Sequence, residues 1–259
     1  MSMARAGATF VALAAGALCS GLLAACLFLP QAASAADFAA LKKKFSPFRP
    51  APAPPFAAPV FGLKRAVFAH ERASHDVRQV ADWVVHAGDN RVDLDAAGDD
   101  GKLPFVILDK KDARVYVFDA AGRLRGAAAA LLGLGVGDTA LPGIGAQELS
   151  NIPPKDRITP AGRFIAELGI DSHAEEVLWV DYEGALAIHR VITTNPKERR
   201  AHRLATPTPL DNRISWGCIN IPVKFYNHVV HPSFAGTKGI VYILPETKAP
   251  RAVFAIYDL

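Results

Sequence analysis

From residue 103 onward the chain alternates short apolar runs with polar turns. Phe105-Val106-Ile107-Leu108 and Val115-Tyr116-Val117-Phe118 are rich in β-branched and aromatic residues, and Lys110-Lys111-Asp112 between them predicts a hairpin turn. Further runs of the same kind are Val177–Tyr182, Ala185–Val191, Gly239–Leu244 and Ala252–Tyr257, with Glu183-Gly184 as a tight turn between two of them. Helical spacing is rarer. Val77, Val80 and Val84 recur at i, i+3 and i+7, which predicts a helix over 74–87 with Ser74 as N-cap and Gly88 as stop. A second helix is expected after Pro222, which suits the first helical position, with Val223, Tyr226, Val229 and Val230 on one face and Pro232 ending it. The pattern predicts a mainly β fold with a few helices, without internal repeats.

The segments before residue 103 have other textures. Residues 36–68 hold Lys42-Lys43-Lys44 and six prolines between Pro47 and Pro59, and read as an extended tether. Residues 69–102 carry the first helix and an Asp/Gly-rich loop over 89–102. The main domain is expected at 103–259. At the start of the chain, Arg5 precedes an uncharged, largely apolar run from Ala6 to Pro30, followed by Ala33-Ser34-Ala35. This is the three-part pattern of a secretory signal over residues 1–35, cleaved after Ala35. Two alternatives use the same residues: a lipobox at Leu23-Ala24-Ala25-Cys26, or a retained membrane anchor. In each case the protein is expected to be exported to the periplasm or cell envelope.

Composition narrows the function classes. The net charge is +4, and loss of residues 1–35 removes only Arg5, leaving +3. So slight an excess, with no basic patch interleaved with aromatics, argues against nucleic acid. Of three cysteines, Cys19 and Cys26 lie in the signal, so the exported chain would keep Cys218 alone, with no intramolecular disulfide to form. A single thiol in an oxidising compartment is either buried and inert or reactive. Oligomeric state is not legible.

The glycine-rich stretch 132–147 has no Gly-Lys-Ser/Thr and opens no helix, so it reads as a flexible loop rather than a phosphate cradle. His228 and His231 stand at i, i+3, but no Cys or carboxylate cluster joins them, so no metal site is expected. The informative stretch is Ile214-Ser215-Trp216-Gly217-Cys218-Ile219-Asn220. A glycine before the cysteine permits a tight turn that exposes the thiol and aims backbone amides at a developing oxyanion. The thiolate is the attacking species, so a base is required. His189, near the end of the run Ala187-Ile188-His189-Arg190, is the candidate.

These residues resemble the signature of L,D-transpeptidase (YkuD-type) catalytic domains, Ser/Thr-His-Gly-Cys-apolar-Asn/Arg. Thr159-Pro160-Ala161-Gly162-Arg163-Phe164 is similar to the Thr-Pro-x-Gly-x-Phe element of that family, and His189 stands where its upstream catalytic His stands. The resemblance runs from about Phe105 to Pro245. It implies a β-sandwich of mixed sheets with a helix at one side. It implies a cysteine transpeptidase of peptidoglycan in which Cys218 attacks a stem-peptide carbonyl and His189 carries the proton, its ring oriented by the backbone carbonyl of Arg190. It also implies no cofactor, and acylation by β-lactams of the carbapenem type.

Three features depart from the family pattern. Trp216 replaces the His two residues before the cysteine. The 25 residues between His189 and Ser215 exceed the usual spacing, and Thr194–Asn212, with Lys197, Arg199, Arg200 and Arg203, reads as an inserted loop or lid. Arg190 replaces a small residue, and its guanidinium suits a substrate carboxylate. Gly217, Trp216, Ser215 and Arg190 are expected to orient the reacting groups, and Arg213, Asn212 and Asn220 to bind substrate. A cell-wall peptide hydrolase (carboxypeptidase or amidase) using the same dyad, and a non-catalytic wall-binding module, are the alternatives.

Overall fold

The computed structural model describes residues 65–87 and 103–254. All of them belong to the second of two compact units, Pro59–Leu259. The expected signal, Cys19 and Cys26, the proline-rich stretch to residue 64 and the Asp/Gly-rich loop lie outside the described residues.

Among the described residues, ten strands follow one helix. Helix α1 is His75–Ala87. The strands are β1 (Phe105–Asp109), β2 (Arg114–Phe118), β3 (Leu124–Ala129), β4 (Leu132–Gly133), β5 (Gly162–Ile170), β6 (Glu176–Asp181), β7 (Leu186–Arg190), β8 (Arg213–Ser215), β9 (Ile219–Ile221) and β10 (Gly239–Ile243). Eight of them form one mixed sheet in the order β3-β2-β1-β10-β5-β6-β7-β9, and β4 pairs with β8 separately. β1–β10, β7–β9 and β4–β8 are parallel; the other pairs are antiparallel. The long strand β5 joins two halves: residues 162–166 pair with β10, and residues 167–170 pair with β6.

Two cores explain the apolar runs. Alternate side chains of β1, β2 and β10 go to opposite faces. Val106, Leu108, Val115, Val117, Val241 and Ile243 join Leu178, Ile188, Ile219 and Ile221 of the other half in one cluster, closed by Tyr226, Val230 and Phe234. Phe105, Ile107, Tyr116, Phe118, Ile240 and Tyr242 turn the other way, onto Val77, Val80, Ala81 and Val84 of α1. Strands covered on both faces lose the in/out alternation, which is why these runs read as continuous. The fold is thus the mainly β, mixed-sheet sandwich with a few helices.

Local expectations held to different degrees. Ser74 caps α1, its Oγ accepting from Val77 N–H at 3.3 Å. The tether boundary moves, because Val67 pairs with Arg123 and Phe68 is buried against α1, so residues 65–68 belong to the body. The strand expected at Ala252–Tyr257 is not formed where it is described: Pro250–Ala252 make a 3₁₀ turn instead. Nor does Pro232 end the second helix. α3 (Val223–Phe225) widens into a π turn over Tyr226–Val230 and continues as α4 (His231–Phe234). In the π turn His231 N–H reaches back to Tyr226 O, and Pro232, with no N–H to place, sits at the start of the next turn.

The first part of the glycine-rich stretch, residues 132–138, is packed against the body, while most of 139–147 is exposed. A Cβ on Gly133 would stand 2.2 Å from Arg157 O, so only glycine lets these backbones pass. Beyond it, the fully buried Lys110 Nζ donates to Gly137 O (2.6 Å), Asp138 Oδ1 (2.9 Å) and Thr159 O (2.9 Å).

Candidate active site

The parallel pair β7–β9 places the candidate residues. Its register sets Ile188 opposite Ile219 and His189 opposite Asn220. Ile188, Ile219 and Ile221 point into the core, so His189, Asn220 and Cys218, one step before β9, fall on the opposite face. There Cys218 and His189 line one cleft of about 350 Å³, walled also by Asp171, Trp179, Glu198, Arg200, Ser215, Trp216 and Asn220. A smaller, mainly apolar cavity of about 90 Å³ lies on the far side of the thiol, with Ile144, Leu149, Ile152, Ile158 and Leu186. Cys218, Trp216 and Ala185 border both.

One glycine and two side chains hold the turn that carries the thiol. Gly217 has φ +136°, in the region glycine tolerates, and a Cβ there would lie 3.0 Å from Ile158 O. Thr159, fully buried, donates to Gly217 O at 2.7 Å and accepts from Gly133 N–H at 2.9 Å. Ser215 Oγ donates to Cys218 O at 2.6 Å and accepts from Gly217 N–H at 3.2 Å. That last bond removes Gly217 N–H as an oxyanion donor, correcting the expectation. Among the described residues the Cys218 N–H has no partner and is the amide left for that purpose.

The thiol donates to Ala185 O at 3.3 Å. Burial pushes its pKa up from the ordinary value; the Ala187 amide acts the other way, and the charge of Asp171 adds to the rise. His189 Nδ1 lies 2.8 Å from Arg190 O. A carbonyl only accepts, so Nδ1 carries the proton and Nε2 of the neutral ring carries the lone pair. Burial pulls the imidazole below its ordinary pKa. The Arg190 carbonyl opposes this, Arg200 adds to the fall, and Asp171 adds to the rise. The resting pair is therefore a protonated thiol and a neutral imidazole, the pairing that general-base activation of a thiol requires. Asp171 remains a carboxylate: burial raises its pKa, but amide bonds from Glu175 and His173 outweigh it.

Trp216 lies under Arg157, whose guanidinium carbon is 3.4 Å from the ring centroid. Arg157 Nε is held by Ile152 O at 3.0 Å. An indole cannot relay protons between thiol and substrate, so Trp216 is a wall here and not a relay.

Four expected roles change. Arg190 contributes its carbonyl to His189, but its guanidinium stacks 4.2 Å from the Tyr226 ring and bonds Asn227 Oδ1 and Glu176 O, away from the cleft. Arg213 lines neither cavity; it donates to Gly133, Gly135 and Lys110 carbonyls and pairs with Glu246. Asn212 is buried, its Nδ2 bonded to Ala130 O at 3.1 Å. Neither lines the cleft or the smaller cavity, because their polar groups are taken by backbone carbonyls and Glu246. Asn220 does reach the cleft, but its Oδ1 accepts from Arg200 NH1 (2.8 Å) and its Nδ2 donates to Cys218 O (3.3 Å). His228 and His231 meet no ligand cluster; His231 Nδ1 lies 3.0 Å from Glu176. Among the described residues no group of three metal-ligating side chains gathers anywhere.

Sequence reasoning missed Asp171, Trp179, Arg157 and Arg200. Only Arg200 left a signal, as part of the basic run in the insert.

No protein-family model matches the chain, and no curated protein matches it. Among solved structures it is similar to the Ldtfm-avibactam carbamoyl enzyme, with 15% identity over 57% of this chain, spanning about half (51%) of that one. The TM-score is 0.33, too low a likeness to carry an argument.

Proposed function

We propose that this protein is an exported cysteine acyltransferase of the L,D-transpeptidase kind, acting on stem peptides of the bacterial cell wall. The observation that carries the reading is the sharing of one cleft by the Cys218 thiol and a His189 whose Nδ1 is tied to Arg190 O. The ordered motifs Thr159–Phe164, His189 and Ser215–Asn220 support it, since Thr159 and Ser215 both clamp the Cys218 turn.

In the first half-reaction Sγ attacks the carbonyl carbon of the donor peptide bond while its proton passes to His189 Nε2. The oxyanion forms beside the Cys218 N–H. The C–N bond then breaks, and the imidazolium returns its proton to the leaving amine, leaving a thioester. In the second half an amine attacks that thioester and gives its proton to Nε2; the C–S bond breaks, and the sulfur regains the proton. Water in place of the amine makes the same sequence a hydrolysis.

Intact-mass measurement after meropenem tests the thioester step. The wild type should gain one adduct and Cys218→Ala none; an unmodified wild type sinks the reading. Products from tetrapeptide muropeptides then separate the outcomes: 3–3 dimers or D-amino-acid exchange mark transfer, and tripeptides alone mark a hydrolase.

A further inference from the structure

One wall of the cleft comes from the insert between β7 and β8. Asn195 opens it, its Oδ1 accepting from Lys197 N–H at 3.2 Å over the 3₁₀ turn Pro196–Glu198. Arg199 follows at φ +51°, a left-handed conformation rare for a side chain of this size, and starts the single helical turn α2 (Arg200–Arg203). Arg203 ties the segment back on itself, donating to Glu198 O at 2.8 Å and to Asp211 O. The insert is therefore a bonded unit, and it aims one residue at the site. The Arg200 side chain is 11% exposed; its Nε pairs with Glu198 at 2.5 Å, and its NH1 holds Asn220 Oδ1 at 2.8 Å. Asn220 Nδ2 in turn reaches the carbonyl of Cys218.

We propose that Arg200 is a positioning residue for the thiol: through Asn220 it lets the insert set the pose of the Cys218 turn. The inference rests on the acyl-transfer reading above. A carboxamide can flip end for end. With Arg200 donating to Oδ1, only one orientation leaves Nδ2 facing Cys218 O. Ser215 holds that same carbonyl from the other side, so the Cys218 peptide is clamped between two donors. That carbonyl belongs to the Cys218–Ile219 peptide, so the clamp fixes the backbone on the C-terminal side of the thiol; the Cys218 N–H lies in the preceding peptide, whose carbonyl, Gly217 O, is held by Thr159. Arg200 also places a fixed cation beside His189, which favours the neutral ring.

Arg200→Gln and Arg200→Lys in the full chain separate this role from simple packing. Lysine keeps the charge but loses the planar fork. Cys218 acylation by meropenem should slow roughly tenfold to a hundredfold in Arg200→Gln, the range that small misplacement of a reacting group costs. Asn220→Ala should slow it comparably, and the double variant should be no slower than the worse single one. The His189 titration, followed by imidazole NMR, should move to higher pH in Arg200→Gln and stay near the wild type in Arg200→Lys. Asp171, His173, Glu198 and Cys218 also line the His189 cleft, and Glu176, Arg190 and His231 lie behind its strand. All of them stay unchanged in both variants. Additive losses, or an acylation rate that Arg200→Gln leaves untouched, overturn the proposal. An unacylated wild type would instead overturn the acyl-transfer reading. The His189 titration and the Asn220 side-chain amide resonances still report on Arg200 in that case, and two unshifted signals would overturn its positioning role.

Discussion

Two clusters of ionisable groups lie within this fold, and they are built on opposite principles. Around Lys110 every charge is matched. The ammonium meets two carbonyls and Asp138, with Glu246 at 3.4 Å; Asp138 also accepts from the Glu246 and Thr247 amides; and Glu246 pairs with Arg213. Around Cys218 the matching is incomplete. The thiol has one carbonyl, the His189 ring one partner on Nδ1, and both are shifted by burial toward their neutral forms. A saturated buried network resists change and holds the backbone, whereas a desolvated, half-matched one retains a lone pair and a proton to exchange. The first joins the glycine-rich stretch to the end of β10; the second opens on the cleft.

Several measurements would sharpen or break that contrast. The largest effect is expected from His189→Ala, which should lower turnover by about 10²–10⁴-fold, the usual worth of a positioned base, and move Cys218 alkylation to higher pH. An identical alkylation profile in both proteins would remove His189 as the thiol's partner. In the other cluster, Lys110→Met should cost about 3–5 kcal/mol in chemical denaturation, because it leaves the buried Asp138 carboxylate without its cation. A loss under 1 kcal/mol would show that the network is not the saturated frame described here.

Thr159→Val tests the bridge between the regions. Removing a buried hydroxyl that both donates and accepts should cost about 1–3 kcal/mol, and it should also slow acylation, since Gly217 O loses its clamp. A stability loss with acylation unchanged would separate the turn from the chemistry.

The smallest effects are those of pH. Asp138 is held well below the usual carboxylate range: burial pushes it up, but bonds from Thr247, Lys110 and the Glu246 amide outweigh that. A depressed folded pKa contributes stability above the unfolded value of about 3.9 and loses it as the pH falls toward the folded one. Wild-type stability should therefore decline more steeply than that of Asp138→Asn below about pH 4. For His189, lowered from 6.5, the acid limb of kcat/KM should have its midpoint below that value. A midpoint above it would mean that burial does not govern the ring.

The local signals in the sequence were strong where one residue must do one thing. Gly217 before Cys218, Ser74 before an i, i+3, i+7 run, and β-rich segments bounded by turns each obey a rule that acts within a few residues. Strand β5 went unread although Arg163, Ile165 and Glu167 alternate with Phe164, Ala166 and Leu168. Its two ends serve different partners, and its glycines blur the pattern. Arg190 and Arg213 were misread because a guanidinium suits a substrate carboxylate and an internal acceptor equally well. Which it meets depends on the face its strand presents.

The sequence by itself determined the chemistry on offer: a cysteine in a glycine turn, an upstream histidine, and a β framework to carry both. Only the tertiary structure decided which polar groups were already matched. It tied Asn212 and Arg213 to interior carbonyls, brought Asp171 and Arg200 to His189 from distant segments, and turned the Gly217 amide to Ser215. Hydrogen-bond saturation is a property of neighbours in space, and along the chain those neighbours stand anywhere from two residues apart (Ser215 and Gly217) to 82 (Ala130 and Asn212).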